Sequence, residues 1–483
     1  MTPFLPLVLG IPLVSALLLA LVPGWRLAAR LNVGASALTL AAALPLFAAE
    51  PAAGVFLLLD AFNVTLIGLT AFVGLTTSVF SAGYIGHEVE SGTLNPLRLR
   101  FYHAMYQAFL FTMLLALSAN NLGVLWVAVE GATLTTVLMV SLYRTAASIE
   151  AAWKYFILCG VGIALALFGT ILIYLAAQPV MGPGMAAMTW TLLLEHAARI
   201  DPNILNLAFV FLLIGYGTKI GLAPLHAWLP DAHAEGPTPI SAVLSGLLLN
   251  VALCAVLRFK MLLAANGAAM APGPLMIGMG LASLLLAGLM LYRRRDIKRF
   301  FAYSSIEHMG IVTVAFGIGG PLASFAGLLH MAMHSLTKSA IFYAVGHAVQ
   351  VTGTQRIDGI RGLTVSHPAL GWGLLAGVVA IAGLPPFGVF MSEFLLITST
   401  FARQPLLALA LSGGILLAFG ALVLRVQKIC FGEPSVGEAA GAGRPIHGTL
   451  VPLYAHLALV LLAGLWLPGP LVGWFQTVAA LLG

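Results

Sequence analysis

Lys219 is the only charged residue between Ile204 and Leu225, deep inside an apolar run that stops at Ala223-Pro224. A charge at mid-membrane costs about 2.5–3.5 kcal/mol on insertion scales, so a surviving one marks a function. A lysine near a helix end escapes that cost by reaching to the interface, and Lys219 lies too far from the start of its run. Burial weakens a lysine's hold on its proton, and a nearby carboxylate restores it. Glu130, alone in charge between Ala104 and Leu142, is the candidate carboxylate. Its plainer role is to bond Thr133 or a neighbouring backbone group. As a pair, Glu130 and Lys219 form a site whose proton affinity depends on their separation.

His330, His334 and Lys338 recur at every fourth residue of GLLHMAMHSLTKSAIFYAVGH, which places them on one helix face. Imidazole changes charge near neutral pH, and neighbouring sites titrate together. A hydrated proton relay is the favoured chemistry, with a plain polar stripe between helices as its alternative. His-x3-His also suits zinc. The next group on that face is a lysine, however, and no Cys or carboxylate falls at ligand spacing within the helix, so no metal is expected. Glu393 follows Pro385-Pro386 in GLPPFGVFMSEFLL. It either caps a fresh half-helix or ends the path. His226, Asp231 and His233 near Pro224, Glu307 and His308 after DIKRFFAYSS, and Asp60 are interfacial polar residues or links from bulk water to the buried line. Without GxSxG, HExxH or a P-loop, no cofactor site is expected.

The elements that must hold these residues are membrane helices. Of the 483 residues, 60% are hydrophobic and 8% charged, with a mean hydropathy of +1.03; soluble domains carry about a quarter charged residues. The sequence specifies an all-α polytopic membrane protein. Its net charge of +6 fits cations gathered at one membrane face, so nucleic acid is not an expected partner. Phe4 to Leu21 follows no basic segment and reads as a first helix, not a cleaved signal. Cys159, Cys254 and Cys430 are too scattered for a disulfide framework or a CxxC cluster.

Cuts at charges, prolines and glycine clusters give fourteen helices, near 4–23, 30–49, 55–83, 102–118, 121–143, 151–177, 204–229, 238–259, 270–292, 298–318, 321–348, 368–402, 404–430 and 449–477. One set of alternate loops then holds Arg26, Arg30, Arg98, Arg100, Arg144, Lys154, Arg293, Arg294, Arg295, Lys298, Arg299, Arg356, Arg361, Arg425, Lys428 and Arg444. The other set holds Arg199, Arg258, Lys260 and Arg403, leaving Lys219 and Lys338 as the intramembrane lysines. That asymmetry puts both termini on the outer face of a bacterial or archaeal plasma membrane. The seventh helix breaks at Pro224 and the twelfth at Gly383-Leu384-Pro385-Pro386. Breaks at matching places suggest two inverted five-helix repeats, residues 102–259 and 270–430. Residues 1–101 precede them as three helices, and 449–483 follow as one.

KIGLAPLHAWLPDAHAEGPTPISA, DIKRFFAYSSIEHMG, the His330-His334-Lys338 helix, the single Glu130 and GLPPFGVFMSEF together resemble a known family. It is that of the antiporter-like membrane subunits shared by respiratory complex I, group 4 membrane-bound hydrogenases and multisubunit cation/proton antiporters. SSIEHMG with EGPTPISA is most similar to the F branch of the hydrogenase-4 members, as in formate hydrogenlyase. The resemblance implies a central hydrophilic axis with Glu130 and Lys219 as coupling pair, Lys338 and its histidines as middle relay, and Glu393 as terminal site. It also implies redox chemistry in partner subunits of a hydrogenase or complex I-like assembly. Asn250 stands where many members carry a lysine, so water or Asn250 itself would bridge there.

The expected function is a non-redox, proton-translocating subunit of a redox-driven complex. Its alternatives within the family are a complex I subunit and an Na+/H+ antiporter component. A self-contained secondary carrier lacks a second conspicuous substrate pocket, a passive scaffold leaves the buried charges without purpose, and a quinone enzyme lacks a binding constellation.

Overall fold

The computed structural model describes residues 3–434 and 448–483. Of the cations in the charge alternation, Arg444 lies outside the described residues, as do the side chains of Arg98 and Arg100.

The chain is almost entirely helical. A bilayer offers no partner for free backbone groups, so each span must satisfy its own. The first third holds α1 (Phe4–Leu19), α2 (Trp25–Ala43), α3 (Ala61–Glu90), α4 (Pro96–Ser118), α5 (Leu122–Val140) and α6 (Ala146–Met181). Then come short α7 (Trp190–Glu195), α8 (Pro202–Ile220), α9 (Trp228–Glu235), α10 (Thr238–Val243) and α11 (Leu249–Ala264). The second half comprises α12 (Gly273–Leu291), α13 (Ile297–Ile318), α14 (Pro321–Thr352), short α15 (Leu363–Ser366), α16 (Pro368–Ile381), α17 (Gly388–Arg403), α18 (Pro405–Cys430), α19 (Val451–Leu465) and α20 (Gly469–Leu482). Asp60, Asn121, Thr145, Asp201 and Asp296 accept backbone N–H bonds at the starts of α3, α5, α6, α8 and α13, the capping chemistry that fixes where a helix begins. The one sheet among the described residues, β1 (Ala52–Ala53) against β2 (Leu58–Leu59), is antiparallel and only two residues wide; it precedes α3, where the sequence suggests helix from residue 55.

Among the described residues ten helices are long and apolar enough to cross a membrane, eleven if α19 and α20 form one span bent by 84°. Every one of the fourteen expected segments contains a helix. The breaks expected at Pro224 and Pro385-Pro386 fall between α8 and α9 and between α16 and α17. The last segment, expected as a continuous helix, is itself broken at Trp466–Pro468. One further irregularity is a π-turn, Leu244–Leu248, joining α10 to α11.

Burial defines a centre. Every residue from Thr238 to Lys260 is buried, as is nearly all of α13, whereas less than half of α2 and α18 is. The outer helices show lipid-sized side chains such as Leu138, Trp153 and Leu416. Small residues let inner helices approach closely. Gly280 and Gly310 face each other so tightly that a β-carbon on either would stand 2.5–2.6 Å from the other's carbonyl oxygen.

Candidate functional site

The titratable residues expected to form the site fall into two groups, one at each helix break. α8 ends where Gly221 turns into the left-handed conformation (φ 80°) that glycine adopts without a side-chain penalty. The freed backbone is satisfied from elsewhere: the Trp228 indole N–H donates to Thr218 O (2.7 Å), and Ala223 N–H donates to Ser283 Oγ of α12 (2.8 Å). This fixes the last turn of α8, which carries the fully buried Lys219. The Lys219 ammonium donates to the Thr133 hydroxyl and stands 5.4 Å from the Tyr155 ring centroid. Thr133 in turn lies 3.1 Å from Glu130 Oε2. The expected pair is therefore joined through a hydroxyl, and Glu130 is half-buried at the edge of the apolar face bearing Leu134 and Leu138.

At the second break, α17 brings Ser392 and Glu393 against α13 and α14. His308 Nδ1 lies 3.0 Å from His330 Nε2 and 3.9 Å from Glu393 Oε1. His330 Nδ1 lies 3.0 Å from Ser392 Oγ, and Glu307 Oε2 lies 3.5 Å from His308 Nε2. His334 packs at 5.7 Å between ring centroids from His308. Lys338, further along α14, donates to Phe301 O (3.1 Å). All of these side chains are buried. Such an array of titratable groups in hydrocarbon can hold and pass protons over short steps.

Asn250 faces α14, where its amide donates to Ser335 Oγ (2.7 Å) and Met331 O (3.2 Å). Its Oδ1 has no hydrogen-bond partner among the described residues. His226 lies half-buried in the first break with its ring against Tyr303, and His233 is buried flat on Phe342. Two accessory candidates go elsewhere. Asp231 joins a surface network with Lys154 (3.3 Å) and Arg299 (3.2 Å). Asp60 caps α3 and pairs with Arg258 at 2.7 Å.

The loop positions expected for Arg258, Lys260 and Lys298 need correction, because all three are buried within helices. Arg258 is held by Asp60 and by the Trp190 ring (4.5 Å), Lys260 donates to Leu482 O (2.7 Å), and Lys298 donates to Ala234 O (2.9 Å) and Gly236 O (2.7 Å). Charges close to a span's end read as loop in a sequence. Tyr155 is the site residue that no charge or motif flags, and Thr133 and Ser392 appear in the sequence only as neighbours of Glu130 and Glu393.

The protein family described as "NADH:quinone oxidoreductase/Mrp antiporter, TM" matches residues 119–418. A hydrogenase-4 component F homolog of Methylacidiphilum infernorum (isolate V4) is 59% identical over 471 residues, covering 98% of each chain. Among solved structures, a chain of the archaeal membrane-bound sulfane sulfur reductase superposes with a TM-score of 0.87 at 21% identity, over 100% of this chain and 98% of that one. A chain of Thermus thermophilus respiratory complex I gives 0.80 at 24% identity, over 99% and 100%. These likenesses extend the fold over the whole chain, and both breaks fall within it.

Proposed function

Since this chain belongs to the family of membrane subunits of NADH:quinone oxidoreductases and Mrp antiporters, we propose that it carries protons through a hydrogenase-4-type complex whose redox chemistry occurs in other subunits. It is a multi-pass integral membrane protein of the antiporter-like class. The observation that carries the reading is the Glu130–Thr133–Lys219 linkage at a broken helix, with a second buried array at the other break.

A shift in α5 or in the α8 break alters the distance between the Lys219 ammonium and Glu130. The attraction across that gap sets how firmly Lys219 holds its proton. A released proton passes toward α14, where Lys338, His334, His330 and His308 receive it, and Glu393 ends the line. Asn250 offers one unpartnered oxygen on the way. Moving one charge against 100 mV needs about 2.3 kcal/mol, matched by one or two pKa units at a coupled site. Imidazole nitrogens suit H+ better than Na+, which prefers oxygen ligands. The same reading takes the chain as fourteen crossings with both termini outside the plasma membrane. It takes 102–259 and 270–430 as inverted repeats, supported by the two breaks beside buried titratable groups.

The test is proton translocation by the whole complex in proteoliposomes. Lys219→Ala and Glu130→Ala each abolish most of the redox-driven pH change while the catalytic arm still turns over. Unchanged translocation in both variants defeats the reading. A Na+ flux replacing the pH change would favour the sodium antiporter alternative.

A further inference from the structure

We propose that His308, His330 and Glu393 form a binding site for one divalent transition-metal ion of the zinc type, completed by His334. The ligand atoms of the first three converge from α13, α14 and α17 and lie within 4.8 Å of one another, all buried. A zinc ion holding two imidazole nitrogens at about 2.0–2.1 Å in tetrahedral geometry keeps them about 3.3 Å apart. His308 Nδ1 and His330 Nε2 stand at 3.0 Å, so a shift of a few tenths of an ångström opens the pair.

The hydrogen bonds behind the histidines aim the lone pairs inward. Ser392 has one hydroxyl proton, which it donates to Val389 O at 2.7 Å. It must therefore accept from His330 Nδ1–H at 3.0 Å, leaving the His330 Nε2 lone pair facing His308. His308 Nδ1 and His330 Nε2 now share a hydrogen bond; when an ion displaces it, the proton of His308 can sit on Nε2, which has no hydrogen-bond partner among the described residues and faces Glu307 Oε2 at 3.5 Å, leaving the Nδ1 lone pair for the ion. A carboxylate or hydroxyl behind each ligating imidazole is the outer arrangement that orients histidines on metals. His334 stands outside that cluster, and its side chain would turn inward to supply the fourth donor. Both its nitrogens are buried without a hydrogen-bond partner among the described residues, and its ring centre is 5.7 Å from that of His308. Glu393 on the ion and Glu307 behind His308 offset its two charges, while the Lys338 ammonium is turned to Phe301 O at 3.1 Å. Nitrogen-rich donors select zinc, cobalt or nickel over magnesium or calcium.

The experiment measures Zn2+ retained by the purified complex after dialysis against a graded chelator, with X-ray absorption at the zinc edge. One ion per chain with a nitrogen-and-oxygen shell is expected. His330→Gln and Glu393→Gln weaken retention by at least about 100-fold, and Ser392→Ala, which removes only an outer partner, by about 10–100-fold. His196→Gln, at a surface histidine, leaves it unchanged. Retention equal to wild type in His330→Gln and Glu393→Gln, or no saturable retention by wild type, overturns the site. If those two variants do not fold, the Ser392→Ala result decides alone: unchanged retention overturns the site. Block of proton flux by the ion rests on the translocation reading. Retention does not, so the two fail separately.

Discussion

Thr133 is a neutral side chain between two opposite charges, and it governs how strongly each senses the other. Thr133→Val keeps the shape and removes the hydroxyl, leaving Lys219 buried without its observed acceptor. Hydrogen bonds to charged groups contribute about 1.5–3 kcal/mol. We therefore expect redox-driven proton translocation to fall about tenfold or more, while Thr133→Ser retains it; equal rates in both variants would show the hydroxyl to be incidental. Glu130 and Lys219 are legible in the sequence because each is alone in an apolar run. Thr133 is visible only as a possible partner of Glu130, since threonine is ordinary in such helices. The meeting of His308 with His330 and Glu393 is not legible at all. These residues belong to three helices, and periodicity within one helix pairs His330 with His334 instead. Asp231 and Asp60 sit near helix starts and are engaged by cations of distant helices, Lys154 and Arg299 for the one and Arg258 for the other, which spacing within one helix does not reveal.

At the level of elements, prolines announce the two central breaks, because a proline leaves a carbonyl unpaired wherever it interrupts a span. Pro468-Gly469-Pro470 carries a comparable breaker signal, yet the apolar residues on both sides make the bent pair α19 and α20 read as one helix. The π-turn has no sequence signature. Its residues are ordinary helix formers, and only their packing shows its use. Gly246 in that turn lets α14 lie against it, with the Ser335 hydroxyl donating to Gly246 O. A β-carbon there would stand 3.2 Å from Ser335 O and 2.5 Å from Ser339 Oγ. Gly246→Val is expected to cost about 1–3 kcal/mol through overpacking and to disturb the Asn250–Ser335 bond. A lowered midpoint of thermal unfolding in detergent, with a smaller drop for Gly246→Ala, checks this; a midpoint equal to wild type would refute it.

For the molecule as a whole, composition alone establishes a polytopic helical protein, and the helix order follows from cuts at prolines and charges. Which helices form the centre does not follow, because hydropathy cannot separate a span facing lipid from one facing other spans. The helix α14 shows what that difference entails. Although 32 residues long, it is absent from the ten helices apolar enough to cross unaided. Its neighbours α3, α10 and α13 precede it in the chain, whereas α16, α17, α19 and α20 follow it. During synthesis it must therefore enter the bilayer with α3, α10 and α13 in place but before the surfaces of α16, α17, α19 and α20 exist, Ser392 beside His330 among them. Chains ended at His367 should leave a cysteine introduced on α14 open to a membrane-impermeant thiol reagent, whereas the full chain protects it. Equal protection in both would mean that earlier helices suffice. If later helices are required, the histidines and lysine of α14 become fully embedded only when translation is nearly finished, and a ribosome stalled before α16 leaves an insertion intermediate for quality control to recognise.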